Sequence, residues 1–190
     1  QHLLADGAKM AKSSGNVFLI EDLVERGFDP LSFRYLCLTV RYRHRMNFTF
    51  GSLRASEKAL TNLRNRVWDW KSLPPLNDLP AETEEWRTRF WDTVDNDLDL
   101  PGALSLTWNL IKSELPGQAK LDLLLDFDRV FGLDLDKVPT TYDVPQTLLT
   151  SLQQRSTLRN QEDYSSADSL RSSVLSQGYL LEDTAVATRI

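Results

Sequence analysis

The sequence has little that would support redox chemistry, metal binding or a membrane location. It contains one cysteine, Cys37, and two histidines, His2 and His44. One cysteine cannot form an internal disulfide, which fits a reducing compartment, so we expect a cytoplasmic protein. No apolar run approaches the roughly 20 residues that cross a bilayer, and the N-terminus lacks a signal-peptide pattern. The composition predicts a soluble globular chain with no membrane partner and no metal site of its own.

Charge is distributed unevenly along the chain. Residues 1–71 carry 12 Lys and Arg against 7 Asp and Glu, whereas residues 72–190 carry 10 against 20. A strongly acidic region repels a phosphate backbone. Any nucleic-acid-binding surface should therefore be local and should lie in the first third of the chain.

Apolar residues recur at helical spacing along most of the chain. This pattern predicts an all-α fold, an antiparallel helical bundle with short connections, and alternation after Tyr179 predicts a short C-terminal hairpin. Cys37 should be buried on the apolar face of its helix. The expected boundaries are Asp29-Pro30 and Ser52 as helix starts, Pro116-Gly117 and Gly132 as helix ends, and Ser165 or Ser166 as the cap of the last helix.

Residues 71–80 contain three prolines and mark the place where the charge balance changes sign. Proline-rich segments interrupt helices, so this stretch is the predicted internal boundary. We expect three parts: a loop-containing segment over 1–20, a short helical region over 21–71 and the helical bundle over 72–190.

A flexible basic segment lies near the N-terminus. Lys9 and Lys12 are three residues apart, and Ser13, Ser14, Gly15 and Asn16 follow at once. Serine, glycine and asparagine favour turns, so the segment should form a loop. Two ammonium groups on such a loop suit an anionic ligand such as a triphosphate, although a solvated basic turn is the alternative.

A second basic stretch combines arginines with aromatic residues. Arg41, Arg43 and Arg45 alternate with Tyr42 and His44. Guanidinium groups pair with phosphates and aromatic rings stack on unpaired bases, which is typical of nucleic-acid contacts. Ion pairs with the acidic bundle would explain the arginines equally well. Helical spacing favours packing over base stacking for the five tryptophans, Trp68, Trp70, Trp86, Trp91 and Trp108.

Several segments in order resemble the cysteinyl-tRNA synthetase family. Residues 9–16 resemble the KMSKS signature of class I synthetases, with Ala11 replacing the usual serine. The family's Gly-x-Asp-Pro-x-x-x-Arg-Tyr and His-Tyr-Arg-x-x-x-Asn-Phe elements match residues 27–35 and 41–48, with Arg41 where histidine is usual. Residues 90–101 are similar to an acidic family element. Ala187 and Ile190 depart from the usual ending, and the departures suggest a divergent member or a paralogue.

The resemblance implies separate roles for different parts of the chain. It implies that Lys12, supported by Lys9, stabilises charge on the phosphates of ATP during adenylate formation, with Ser13 beside them. It implies that residues 21–71 form a stem-contact region and residues 72–190 an anticodon-binding-like bundle, with tRNA(Cys) as the partner and no role in binding DNA. The nucleotide-binding sheet and a zinc site would belong to a catalytic domain upstream of Gln1, so this chain alone should be inactive.

Two other functions fit the same residues. One is a fragment of a paralogous ligase that joins cysteine to a small amine, as in the mycothiol pathway. The long bundle after residue 72 argues against it, since it would have no substrate to contact. The other is a helical interaction module without catalysis. Binding of tRNA(Cys) and cysteine-dependent pyrophosphate exchange would distinguish the three candidate functions. No sequence pattern indicates the oligomeric state.

Overall fold

The computed structural model describes residues 4–5, 7–9, 17–137, 145–177, 179, 181–183 and 188–189. These residues form eight α-helices and five strands of two residues each. The chain divides into two compact units, residues 1–138 and residues 139–190. The predicted all-α fold is confirmed, since the described strands make only two small sheets.

The first unit combines a small sheet with six helices. Strand β1 (Leu4–Ala5) pairs antiparallel with β2 (Ala8–Lys9) and parallel with β3 (Asn47–Phe48), which gives the order β2-β1-β3. The elements in chain order are β1 (Leu4–Ala5), β2 (Ala8–Lys9), α1 (Ile20–Glu25), α2 (Pro30–Leu38), β3 (Asn47–Phe48), α3 (Phe50–Lys71), α4 (Glu82–Asp95), α5 (Leu100–Lys112) and α6 (Gly117–Phe131).

The main core of this unit lies between α3, α4, α5 and α6. The rings of Phe90 and Phe127 stack with centroids 3.8 Å apart, and Phe131 meets Phe90 edge-on. All three side chains are fully buried. Burial of each large apolar side chain contributes about 1.5–3 kcal/mol, so these rings join α4 to α6.

A second, smaller core holds the N-terminal elements together. Leu23 of α1, Leu36 of α2, Phe48 of β3 and Leu53 of α3 are buried against one another. Further phenylalanines surround them, and Phe48 and Phe50 meet edge-on with centroids 5.4 Å apart. This core fixes β3, and through β3 the sheet, on the first turns of α3.

Helix boundaries that depend on local chemistry follow the sequence prediction. The Asp29 carboxylate accepts a hydrogen bond from the backbone N–H of Leu31 at 2.8 Å and caps α2. Helix α3 ends at Lys71, before Pro74. Gly132 ends α6 with a φ of 61°, a backbone conformation that favours glycine.

Three predicted boundaries were wrong. Thr49, not Ser52, caps α3, because the two hydroxyls form a reciprocal capping box. Pro116-Gly117 begins α6 and does not end α5, because the fixed φ of proline suits a helix start. The cap of α8 is Asp163, whose carboxylate accepts a hydrogen bond from the backbone N–H of Ser166 at 3.1 Å.

The proline-rich stretch over 71–80 connects two helices inside the first unit. The Gln118 side chain of α6 donates hydrogen bonds to the carbonyls of Trp70 and Leu73, at 2.8 and 2.7 Å. A Cβ atom at Gly117 would lie 2.5 Å from Leu73, so the connection packs closely on α6. A functional division near residue 71 stays a prediction.

The second unit is a helical pair followed by a hairpin. Helices α7 (Gln146–Asn160) and α8 (Tyr164–Ser176) enclose Leu148 and Val174, and Leu181 completes this small core. Strands β4 (Glu182–Asp183) and β5 (Thr188–Arg189) pair antiparallel, which confirms the predicted hairpin. Residues 138–144, in the connection from α6 to α7, lie outside the described residues.

Candidate phosphate and nucleic-acid interface

The small sheet brings the start of the lysine segment close to the end of the arginine stretch. Leu4 of β1 pairs with Lys9 on one side and with Asn47 on the other. Adjacent strands lie about 4.8 Å apart, so the backbones of Lys9 and Asn47 are about 10 Å apart. Lys9 ends strand β2 and does not lie in a loop, whereas Lys12 and Ser13 are outside the described residues.

Asn47 also holds the turn from which the lysine segment departs. Its side-chain oxygen accepts a hydrogen bond from the backbone N–H of Gly7 at 2.8 Å. Gly7 lies between β1 and β2 with a φ of 79°, which a residue with a Cβ rarely adopts. Sequence reasoning missed this role, because the two residues are 40 positions apart.

The first two arginines of the basic stretch form ion pairs with the turn between α4 and α5. Arg41 Nη2 lies 2.8 Å from Asp99 Oδ2. Arg43 donates two hydrogen bonds to Asp97, from Nε at 3.0 Å and from Nη2 at 2.8 Å. The structure therefore contains the ion pairs that were the alternative to phosphate contacts, and it leaves phosphate binding untested.

Tyr42 completes the contact with the acidic turn. Its hydroxyl donates a hydrogen bond to Asp97 Oδ1 at 2.7 Å, and the Arg43 guanidinium lies 5.0 Å from its ring centroid. The hydrogen bonds from Arg43 and, as the second largest cause, from Tyr42 lower the pKa of the Asp97 carboxyl below its ordinary value. The same hydrogen bond raises the pKa of Tyr42. Asp97 thus stays charged to a lower pH than an isolated aspartate does.

Arg45 differs from the other two arginines. Its side chain is exposed, and among the described residues it has no hydrogen bond or ion pair. An exposed guanidinium without an internal partner can contact an external phosphate without first breaking a bond. Of the three predicted arginines, Arg45 is the most available.

The acidic turn has an unusual backbone. Asp97 and Leu98 have φ values of 56° and 52°, in the left-handed region that residues with side chains rarely occupy. Asp99 then caps α5, because its Oδ1 accepts a hydrogen bond from the backbone N–H of Gly102 at 3.1 Å. A Cβ atom at Gly102 would lie 2.8 Å from Asp99 Oδ2, so this cap requires glycine.

The residues of the Gly-x-Asp-Pro-x-x-x-Arg-Tyr element have structural contacts. Asp29 caps α2 and forms an ion pair with Arg64 of α3 at 2.5 Å. Arg34 donates a hydrogen bond to the carbonyl of Phe131 at the end of α6. The Tyr35 hydroxyl accepts a hydrogen bond from Trp108 Nε1 at 3.0 Å. This element therefore links α2 to α3, α5 and α6.

The other residues considered from the sequence lie away from this surface or in the core. Cys37 is exposed, so the prediction that it is buried was wrong. Its neighbours Leu36 and Leu38 are buried, whereas Cys37 lies on the outer side of α2. Desolvation still raises the pKa of its thiol. Trp68 is also exposed, whereas the other four tryptophans pack against the main core.

No group of three or more histidine, cysteine, aspartate or glutamate residues in the described ranges could hold a metal ion. None of the described helices is long and apolar enough to cross a bilayer.

Comparison with known proteins gives a consistent result over the whole chain. Residues 1–58 match the model of the tRNA synthetases class I (C) catalytic domain. The chain is 37% identical over 183 residues to cysteine–tRNA ligase 1 of Burkholderia lata, an alignment that covers 96% of this chain and 38% of that protein. It is 34% identical over 208 residues to the cysteine–tRNA ligase of Borreliella afzelii, covering 100% of this chain and 43% of that protein.

The chain belongs to the cysteinyl-tRNA synthetase family. It spans about two fifths of the length of these relatives, 38% and 43%. The part matched by the class I catalytic-domain model contains the sheet, the lysine segment and the arginine stretch. Both predicted phosphate-binding segments of this cysteinyl-tRNA synthetase chain thus lie in its first 58 residues.

Proposed function

We propose that this chain is the C-terminal, tRNA-contacting part of a cysteine–tRNA ligase. The ligase would couple ATP-dependent activation of cysteine to aminoacylation of tRNA(Cys). The observation that carries this proposal is the similarity to cysteine–tRNA ligases over 96–100% of the chain. Since translation consumes the aminoacyl-tRNA product, we place the ligase in the cytoplasm.

In this proposal the lysine segment acts on ATP. The cysteine carboxylate attacks the α-phosphate, and negative charge develops on the departing pyrophosphate. Lys12, with Lys9 in support, would meet this charge in the transition state, and Ser13 would donate a hydrogen bond to the phosphates. The ladder through Leu4 and Asn47 supports this role, since it anchors the backbone at Lys9, where the segment begins.

The arginine stretch would contact the tRNA backbone. Arg45 is exposed and has no internal partner among the described residues, and Arg41 and Arg43 are 53% and 66% exposed despite their ion pairs. Guanidinium groups bind phosphodiesters with charge-assisted hydrogen bonds. The surface is local, as the acidic balance of residues 72–190 requires.

Pyrophosphate exchange by the full-length ligase tests the catalytic part of the proposal. Lys12→Ala should slow cysteine-dependent exchange by about 10²–10³-fold, the typical effect of removing one transition-state donor. Lys58→Ala removes an exposed amine from α3 and should leave exchange unchanged. Equal rates for the two variants would reject the role of Lys12.

Binding of tRNA(Cys) at several salt concentrations tests the other part. Arg45→Gln should weaken binding and reduce the slope of log K against log salt by about 1, as expected for one lost phosphate contact. Arg89→Gln, an exposed arginine of α4, is the matched control and should leave the slope unchanged. An unchanged slope for Arg45→Gln would reject this contact.

A further inference from the structure

The contact between residues 42–43 and Asp97 has the geometry of an anion-binding site. Two guanidinium N–H groups of Arg43 bind the two carboxylate oxygens, at 3.0 and 2.8 Å. The Tyr42 hydroxyl adds a third donor at 2.7 Å. A phosphodiester also presents two anionic oxygens to such a pair of parallel donors. The chain's own carboxylate therefore occupies the place that a backbone phosphate would fit.

The two ion pairs of this region differ in how easily they can open. The Asp99 side chain is 16% exposed and is held by its cap on α5, so its pair with Arg41 is fixed by the helix. Asp97 and Arg43 are 50% and 66% exposed, and Asp97 caps no helix. Exposed ion pairs contribute little to stability because solvent screens them, so the Arg43 pair breaks at little cost.

The turn that carries Asp97 is exposed and has an unusual backbone. Asp97 and Leu98 both have left-handed φ values, and the Leu98 side chain is 54% exposed. A non-glycine residue in this conformation stores strain. Release of the Asp97 carboxylate breaks only exposed side-chain contacts, and the backbone hydrogen bonds of the turn remain.

We propose that Asp97 occupies the phosphate site of Tyr42 and Arg43 in the free protein, and that a tRNA phosphodiester displaces it. This inference rests on the proposed function, since it names the competitor of one of its phosphate contacts. An internal carboxylate has a high effective concentration, so a lone anion competes poorly. A ligand with several correctly spaced phosphates displaces Asp97 because its other contacts offset the exchange. The contact then selects for the shape of a backbone and not for charge alone.

The test measures tRNA(Cys) affinity of the full-length ligase at fixed salt. Asp97→Asn keeps the shape of the side chain, tolerates left-handed φ and removes the charge that holds Arg43. It should tighten binding by about two- to fivefold, the equivalent of one exposed ion pair. Asp95→Asn is the matched control: Asp95 is exposed, lies two residues away and has no side-chain partner among the described residues. Thermal unfolding of both variants verifies that they fold.

The outcomes separate this inference from the proposed function. Tighter binding by Asp97→Asn than by Asp95→Asn supports displacement. Equal affinities, or weaker binding by Asp97→Asn, overturn it. Arg43→Gln provides the second comparison: if it weakens binding while Asp97→Asn has no effect, tRNA contact stands and displacement fails. If neither variant changes affinity, Arg43 makes no phosphate contact. The displacement inference and the proposed tRNA contact of Arg43 then both fail.

Inorganic phosphate and the tRNA backbone both present anionic phosphate oxygens. A spectroscopic measurement shows which of the two displaces Asp97. The carboxyl-carbon chemical shift of Asp97 reports whether Arg43 is bound to it. A shift on addition of tRNA(Cys), and none with inorganic phosphate at matched ionic strength, supports a backbone ligand. A shift with inorganic phosphate alone would assign the site to a free anion and overturn the proposal.

Discussion

Asp97 receives three hydrogen bonds from two consecutive residues, and its ionisation reports on that contact. Its pKa in the folded protein lies below the ordinary value, chiefly because of Arg43. The native state therefore releases this proton more readily than the unfolded chain. The stabilisation is present above the ordinary aspartate pKa and is lost as pH falls through the lowered value.

Arg43→Ala should raise the pKa of Asp97 towards its ordinary value, because the largest cause of the shift is removed. Tyr42→Phe should raise it less, since one hydrogen bond is lost and the guanidinium remains. A pH titration of the Asp97 carboxyl-carbon resonance measures both. An unchanged midpoint in Arg43→Ala would show that the ion pair does not persist in solution.

Gly132 occupies a position where a side chain does not fit. Its φ is 61°, and an added Cβ would lie 2.8 Å from Arg34 Nη2 and 3.1 Å from Arg34 Cζ. Gly132→Ala should destabilise the protein by about 1–3 kcal/mol, which includes backbone strain. Urea unfolding measures the change in free energy of unfolding.

Gly51→Ala is the control for this substitution. Gly51 lies in α3, and an added Cβ would meet only Thr49 Oγ1, at 3.7 Å. Alanine has the higher helix propensity, so stability should stay equal or rise by about 1 kcal/mol. If both substitutions cost the same, the left-handed turn at the end of α6 would not explain the loss at Gly132.

At the scale of elements, the contact between α4 and α6 depends on stacked aromatic rings. Phe90 is fully buried and stacks on Phe127 with an interplanar angle of 3°. Phe90→Ala should cost about 3–5 kcal/mol, because it removes buried area and leaves a cavity. Trp68→Ala removes a large ring that is 45% exposed and should cost far less. Comparable losses in urea unfolding would contradict this account of the core.

Elements whose boundaries are set by nearby residues could be read from the sequence. Asp29 caps the helix that begins at the next residue, and Gly132 ends the helix just before it. Ser52 was wrongly predicted as the cap of α3, because its hydroxyl is of the kind that caps helices. It lies in the first turn of the helix, as the capping-box partner of Thr49. Pro116-Gly117 was ambiguous because the same pair suits the end of one helix and the start of the next.

The candidate site was less predictable because it depends on pairs distant in sequence. Arg43 and Asp97 are 54 residues apart, and Gly7 and Asn47 are 40 apart. The basic stretch and the acidic element were each recognisable by composition. Nothing in the local pattern indicated that they contact each other, since register between distant segments is decided by tertiary packing.

At the scale of the whole molecule, the two compact units predict independent folding of the first. Its main core is formed entirely by residues between Tyr35 and Leu135. A protein that ends at residue 138 should therefore keep a single cooperative unfolding transition. Circular dichroism during urea titration measures it, and Phe90→Ala in the shortened protein should lower the midpoint. A gradual loss of helix without a transition would contradict the division.

Three cations of α2 and α3 bind the chain where it leaves α6, and all three donate to backbone carbonyls. Arg34 binds the carbonyl of Phe131, Arg64 that of Leu133 and Lys71 that of Asp136. Every residue type has a carbonyl, so a substitution at Asp136 leaves its acceptor in place. An inserted residue would instead displace the acceptors by about 3.8 Å and break the set. These three contacts therefore constrain the length of the loop, whichever side chains stand at positions 131, 133 and 136.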